Sequence, residues 1–516
     1  MVEYLDILMF GALVIAILSG FPVAFSIAGT GILFAILGWS LGVMNINLLG
    51  AMSQRIFGLL TNNVLIAIPL FVLMGAILEK SRIAEDMLDT MGRSFGQLRG
   101  GLGISVILVG MLLAASTGIV GATVVAMGMI ALPTMLRAGY DPRVASGLVC
   151  SAGTLGQIIP PSTLLIILSD VVSNAYQQAQ YEQGKFTIET ISVGQVFASA
   201  LLPGLTLVGL YILYVLLRGI IRPQDMPPAP ADMPRPPLSE VAQAILPAIL
   251  LILAVLGAIL SGIASPTEAA SVGGIGAALM AAVKAGANRR FILTGVVALI
   301  ILAIGAGLFP VRLQRSDLSG ASYALGALYV ALTFIGLAAI AMALRSMVTQ
   351  KVLQPALNST LTMTAMIFAT ILAAGIFSLV FIGLGGEDRV HDLLSSMPGG
   401  ANGALIFAML FIFVLGFFLD FVEISVIVLP LVMPSLIIMG HDPVWLSVLI
   451  AINLQTSFLT PPFGFSLFYL RGAAPKEITT GQIYAGVTPF ILIQIIAVAL
   501  IWIWPGIATY LPSIMF

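Results

Sequence analysis

Charge is scarce in this 516-residue chain, whose 21 Lys and Arg and 22 Asp and Glu make up 8% of it. A soluble protein carries roughly 25% charged residues. Because 59% of the residues are hydrophobic, the scarcity excludes an ordinary soluble domain and reads as an integral membrane protein. A formal net charge of −1 removes the electrostatic basis for a nucleic-acid partner. The single Cys150 excludes an intrachain disulfide framework and a thiolate metal site, and its apolar surroundings suggest a buried thiol. The two histidines, His391 and His441, lie too far apart in sequence to suggest a metal centre. No G-x-x-x-x-G-K-[ST] loop is present, nor any nucleophile–base–orienter set. The chain therefore does not read as an enzyme or as an ATP-driven pump, and its energy must come from an ion gradient or an associated subunit. The opening MVEYLDILMF has no basic residue before its apolar run, so a retained helix is expected there rather than a cleaved signal.

What the chain does have is a repeat. Pro133, Gly139, Asp141, Pro142, Pro160 and Pro161 recur as Pro434, Gly440, Asp442, Pro443, Pro461 and Pro462, 301 residues downstream without a gap. In each copy an apolar run ends in a Gly-x-Asp-Pro turn, and a second apolar run breaks at a Pro-Pro pair. The turn reads as structural, with a Pro-fixed φ. A Pro pair inside a membrane-depth run removes N–H donors and frees carbonyls. Non-helical backbone survives there only where protein or a water-filled cavity lines it. Paired interruptions in two halves therefore point to a transporter's binding site.

Taken in order, residues 4–38 are too long for one span and split at Gly20-Phe21-Pro22. A helix is predicted over 56–78, followed by a charged segment over 79–99. Residues 101–136 and 403–439 are long, apolar and interrupted, and they read as re-entrant hairpins. Residues 144–168 and 445–470 hold the two Pro-Pro breaks. Asp170 to Gly194 reads as a polar interval and 195–217 as a span. These parts make 56–217 a first inverted repeat and 355–504 a second. A Pro-rich cytoplasmic linker at 218–242 leads to scaffold helices over 243–354. With the N-terminus outside and twelve crossings, 16 basic residues fall inside and 5 outside, in agreement with the positive-inside rule. The expected fold is thus an all-α polytopic membrane protein: about twelve transmembrane helices plus two re-entrant hairpins, in inverted-topology repeats like those of elevator-type ion transporters, with both termini periplasmic.

Oxygen ligands gather at the interruptions. Ser116, Thr117, Gly118, Thr123, Gly153, Thr154, Gly156 and Ser162 surround the first break, with Pro160 and Pro161 at its centre. Asp420, Asn453, Gln455, Thr456, Ser457 and Thr460 surround the second, with Pro461 and Pro462. Hard cations such as sodium take hydroxyl, amide, carboxylate and carbonyl oxygens, the last from unwound backbone. A hydroxyl in a membrane helix also serves simply to bond across helices. Asp420 and Glu423 share one face at i,i+3 spacing, and an acid at membrane depth is a functional candidate. The plainer reading is that one of them caps a half-helix or sits at the interface. No isolated intramembrane Arg is evident to clamp a carboxylate, which leaves half-helix N-termini, hydroxyls or a partner protein to hold an anion.

IPLFVLMGAILEKSRIAEDMLDTMG, GTLGQIIPPS, SPTEAA at Ser265 to Ala270, FFLD at Phe417 to Asp420 and NLQTSFLTPPFG at Asn453 to Gly464 resemble the large membrane subunit of tripartite ATP-independent periplasmic (TRAP) transporters. The resemblance covers most of the chain except about 292–350, where two extra helices are expected over about 292–344. It implies sodium-driven import of organic acids (carboxylates) across a bacterial inner membrane, with no other cofactor. A periplasmic substrate-binding protein and a small four-helix membrane subunit would be the partners, and the motion an elevator. By position it implies that Ser162 and Asp420 lie near the substrate and ion sites. The family usually shows Ser-Gly-Ser at the first hairpin tip, where this chain has Thr117-Gly118-Ile119; that departure implies a different or less polar substrate. A stand-alone ion-coupled anion symporter or antiporter of the same inverted-repeat architecture is the competing reading.

Overall fold

The computed structural model describes residues 4–95, 98–228, 235–311 and 320–516, with the side chains of Ser116 and Thr117 excepted. Arg312 and Arg315, two of the five basic residues that the topology expectation puts outside, lie outside the described residues. No strand occurs among the described residues, and every regular element is a helix. α1 (Leu5–Leu18) and α2 (Val23–Ser40) part at the Gly20-Phe21-Pro22 break, with Gly20 at φ +83°. α3 (Met52–Thr61) and α4 (Ala67–Lys80) replace the single helix predicted over 56–78. The cause is Asn62, whose amide oxygen accepts the backbone N–H groups of Val64 and Leu65 at 2.9 and 3.4 Å. Asn offers the backbone a local alternative to the helix in this way.

α5 (Ile83–Phe95), α6 (Gly101–Thr117), α7 (Val120–Arg137), α8 (Pro142–Thr154), α9 (Thr163–Glu182) and α10 (Val193–Ile221) follow. α9 runs straight through the first part of the interval read as polar loop. α11 (Leu238–Leu260), α12 (Pro266–Lys284), α13 (Arg289–Leu308) and α14 (Gly320–Thr349) lie before the second Pro-Pro half. That half comprises α15 (Leu353–Gly383), α16 (Gly386–Ser395), α17 (Gly400–Leu415), the short α18 (Phe421–Glu423), α19 (Leu429–Ile438), α20 (Pro443–Leu459), α21 (Phe465–Ala473) and α22 (Thr480–Ile503), and α23 (Gly506–Met515) ends the chain.

The repeat is visible in the backbone. Adding 301 to the bounds of α7 gives 421–438, the combined extent of α18, a π-helical turn (Ile424–Val428) and α19. Gly139 and Gly440 close the preceding helices at φ +83° and +100°. Asp141 and Asp442 then open α8 and α20, accepting the N–H of Arg143 at 2.8 Å and of Trp445 at 2.7 Å, with Pro at the first helical position. Gly-x-Asp-Pro is therefore a helix end joined to an N-cap, and its role is structural. The Pro160–Pro161 and Pro461–Pro462 peptide bonds are both cis.

Among the described residues ten helical stretches are long and apolar enough to cross a bilayer, against the twelve or so expected. α1, α6, α17 and α20 are apolar as well but shorter than 18 residues. The chain is an all-helical, multi-pass membrane protein. Phe421–Ile438 is the most buried of those ten stretches, with 83% of its residues buried, whereas α13 and α14 are peripheral at 17% each. α13 and α14 pack on one another where Gly295 meets Ala339 and Gly336 meets Leu299. Gln350 reaches back to the Ala285 carbonyl at 3.5 Å, so this pair leaves and rejoins the bundle at one place. The tightest crossing is α8 on α22: a Cβ on Gly147 would stand 2.1 Å from the Gly486 carbonyl oxygen.

Candidate functional site

Thr154 and Gln455 are related by the 301-residue offset, and they are hydrogen-bonded to each other: Gln455 Nε2 donates to Thr154 Oγ1 at 3.3 Å. A residue can touch its own repeat mate only beside the axis that relates the two copies. The ends of α8 and α20, and hence both Pro-Pro breaks, are therefore gathered about one centre. Both residues are buried, and Gln494 Nε2 donates to Tyr211 Oη at 2.8 Å in the same fully buried interior.

At the first break α8 ends at Thr154, a 3₁₀ turn covers Leu155–Gln157, and extended chain at Ser162 leads into α9. The end of α6 and the start of α7 cover this break, and the three glycines singled out from the sequence make the fit possible. A Cβ on Gly118, itself at φ +62°, would lie 2.5 Å from the Thr163 amide nitrogen. One on Gly153 would lie 2.4 Å from Val124 Cγ2, and one on Gly156 would lie 3.0 Å from Ala114. The side chains of Ser116 and Thr117 lie outside the described residues. Thr123 Oγ1 donates to the Ile119 carbonyl at 3.0 Å. Pro160, Pro161, Ser162 and Thr163 are buried, and Ser162 Oγ reaches the Gln157 carbonyl at 3.5 Å. Gln157 was not among the candidates, yet both its amide atoms and Thr163 Oγ1 are buried without a partner among the described residues. A buried polar group left unpaired costs about 1–3 kcal/mol, so these are groups that a solute or ion can satisfy.

The second break is built differently. Gly416, just past α17, sits against Ser457, where a Cβ would be 2.1 Å from Oγ. Asn453 Nδ2 donates to the Met409 carbonyl of α17 at 2.8 Å. Thr456, Ser457 and Thr460 donate to carbonyls of their own helix, at Ile452 (2.8 Å), Leu454 (2.7 Å) and Thr456 (2.8 Å). Each hydroxyl has spent its one proton and keeps lone pairs for an acceptor role. Pro461 is partly exposed and Pro462 exposed, and the Pro462 carbonyl accepts from Tyr484 Oη at 3.1 Å. Asp420 caps α18: its Oδ1 accepts the Phe421 N–H at 2.7 Å, while its own N–H donates to the Glu423 carboxylate. The capping role is thus present, and both carboxylates stand at the positive end of a half-helix. Phe463 holds the place that Ser162 holds in the first copy, and it packs with Phe417 and Phe418 at centroid distances of 6.4 and 5.6 Å. Both breaks therefore carry hydroxyls, and the second adds aromatic rings and two carboxylates.

Tyr469 of α21, which sequence reasoning missed, links the two. Its ring fills the space beside Gly121 at the start of α7, and Asp420 and Glu423 are close enough to act on it electrostatically. His391 and His441 bond separately, to Ser435 and to the Ala401 carbonyl, and no group of three His, Cys, Asp or Glu converges among the described residues. Cys150 is fully buried, as expected. Away from the two breaks, Arg55 of α3 lines a cavity of about 440 Å³ together with Asp170 of α9. From the sequence, Arg55 counts among the outside charges and Asp170 opens a polar interval, with no sign that they share a cavity.

The family model described as tripartite ATP-independent periplasmic transporter, DctM component, matches residues 10–309 and 288–507. The C4-dicarboxylate TRAP transporter large permease protein DctM of Vibrio cholerae is 27% identical over 100% of this chain and 98% of its own length. The ectoine TRAP transporter large permease protein TeaC of Halomonas elongata is 24% identical over 97% of each chain. Among solved structures, the Alcanivorax borkumensis YdaH transporter, described as having an unusual topology, matches with a TM-score of 0.51 at 15% identity, covering 89% of this chain and 88% of its own. At that identity the likeness concerns the fold alone.

Proposed function

The chain belongs to the family of the DctM component of tripartite ATP-independent periplasmic transporters, and from that premise we propose that it carries an organic acid into a bacterial cytoplasm on a sodium gradient. It is a multi-pass permease and not an enzyme. The observation that carries the proposal is the Thr154–Gln455 contact, which gathers two unwound, oxygen-rich breaks about one axis. None of the groups named at either break is cationic, and several keep unused oxygen lone pairs, which suits a hard cation. Relatives named for C4-dicarboxylates, ectoine and sialic acid transport support a carboxylate-bearing solute. A periplasmic binding protein delivers the solute, and a small membrane subunit braces this one. The covered breaks and their half-helices move as a unit against α11 to α15, in the manner of an elevator.

Uptake by proteoliposomes holding this chain tests the proposal. Import should require an inward sodium gradient, the binding protein and the small subunit together. Full-rate uptake by the large subunit alone would establish the stand-alone symporter instead, and uptake indifferent to sodium would remove the coupling ion.

A further inference from the structure

The cavity of about 440 Å³ lies between α3, α9, α15 and the π-helical turn, and none of the residues assigned above to the two breaks lines it. Its size is in the range of small-molecule sites. Arg55 and Asp170 are its charged lining residues, and Leu59, Ile167, Val171 and Ile371 supply apolar wall. Arg55 Nη1 donates to the Gly375 carbonyl at 3.3 Å. Among the described residues no carboxylate lies within ion-pairing distance of it. A guanidinium carries five donors in a planar fork that fits a carboxylate, so four remain for a ligand. Asp170 is held in place rather than neutralised: Asn62 Nδ2 donates to Oδ1 at 2.8 Å and Asn174 Nδ2 to Oδ2 at 3.5 Å. A carboxylate has about four acceptor positions, so Asp170 can take two further donors.

We propose that this cavity is a second solute site, which binds a small organic carboxylate through Arg55 and takes a hydroxyl or ammonium of the same molecule on Asp170. A guanidinium with no carboxylate partner among the described residues and an acceptor-only group, lining one cavity, select an anion that also carries a donor. The plain alternative is that Arg55 merely ties α3 to α15 through the Gly375 carbonyl. The choice of solute rests on the transport reading, but binding is measured without transport.

A reporter cysteine separates the two. Gly58 lines the cavity, and a Cβ there meets nothing within 4 Å, so Gly58→Cys is sterically free. The native Cys150 is fully buried and silent. Thiol labelling of the purified full-length chain is followed with succinate, ectoine or N-acetylneuraminate present. At least one should slow labelling saturably, and Arg55→Gln should raise the half-protecting concentration by about tenfold or more, the loss expected for a charge-assisted contact. Arg55→Lys should cost less, and Asp170→Asn should weaken protection by the donor-bearing solutes but not by succinate. Melting temperatures confirm that each variant is folded. Absence of protection by all three solutes, or equal protection in parent and Arg55→Gln, would overturn the site. Uptake measured on the same variants keeps the readings apart: import without protection removes only the cavity site, and protection without import removes only the transport reading.

Discussion

Asp420 carries two roles that a single substitution can separate. As N-cap of α18 it needs only an acceptor oxygen, which Asn supplies as well as Asp. As part of a cation site it needs charge. Asp420→Asn should therefore keep fold and expression but lose transport, whereas Asp420→Ala should also lose about 1 kcal/mol of stability with the cap. Wild-type uptake by Asp420→Asn would show that the charge is dispensable and shift attention to Glu423. The threonines differ in the same way. Thr154→Val strands the buried Gln455 amide at a cost of about 1–3 kcal/mol, whereas Thr456→Val removes only a bond within its own helix, worth about 1 kcal/mol or less. Thr456 is the cleaner test of an ion ligand. At this scale the polar residues beside the Pro pairs were legible because hydroxyls, amides and an acid stand out in apolar sequence. Arg55, Gln157, Asp170 and Tyr469 were not, since nothing local marks a side chain whose partners lie on other helices. Asp170 and Asn174 at i,i+4 spacing were a usable signal for α9 once its length was known.

Among the elements, the breaks were readable and two helix ends were not. Pro-Pro and Gly-x-Asp-Pro leave strong local marks, and the structure puts cis bonds, left-handed glycines and Asp caps at those positions. The Asn62 break was hidden inside a hydrophobic stretch, and the end of α9 was masked by its polar face. Helix crossings carry no local mark at all. At the α8–α22 crossing, Gly147 packs directly on backbone, so Gly147→Ala should force the helices apart and cost about 1–3 kcal/mol or more. Gly29→Ala in α2, where a Cβ meets nothing within 4 Å, should be neutral or slightly stabilising. Equal melting temperatures for the two variants would show that the Gly147 contact is looser than the structure has it.

For the whole molecule, the uninterrupted offset of 301 residues announced two related halves, and the Thr154–Gln455 pair shows where they meet. What the offset could not show is how differently the copies are furnished, with Ser162 answered by Phe463 and Ile119 by Asp420. Pseudo-symmetry relates the two backbones and leaves the side chains at the two breaks free to differ. The basic-residue bias implies that both termini face the periplasm. A Ser513→Cys probe should then be labelled from outside intact cells and a Ser239→Cys probe, at the start of α11, should not; the reverse pattern would invert the arrangement. The central claim is that the gathered breaks bind sodium, and the melting temperature of the purified chain in sodium against potassium chloride at equal ionic strength tests it most directly. Selective binding to the native state stabilises it by about 2.7 kcal/mol at a hundred times the dissociation constant. The account predicts a melting temperature that rises with sodium and not with potassium, and half-effect concentrations shifted upward in both Asp420→Asn and Thr456→Val. The same rise with both salts, or variants that respond to sodium as the parent does, would contradict it.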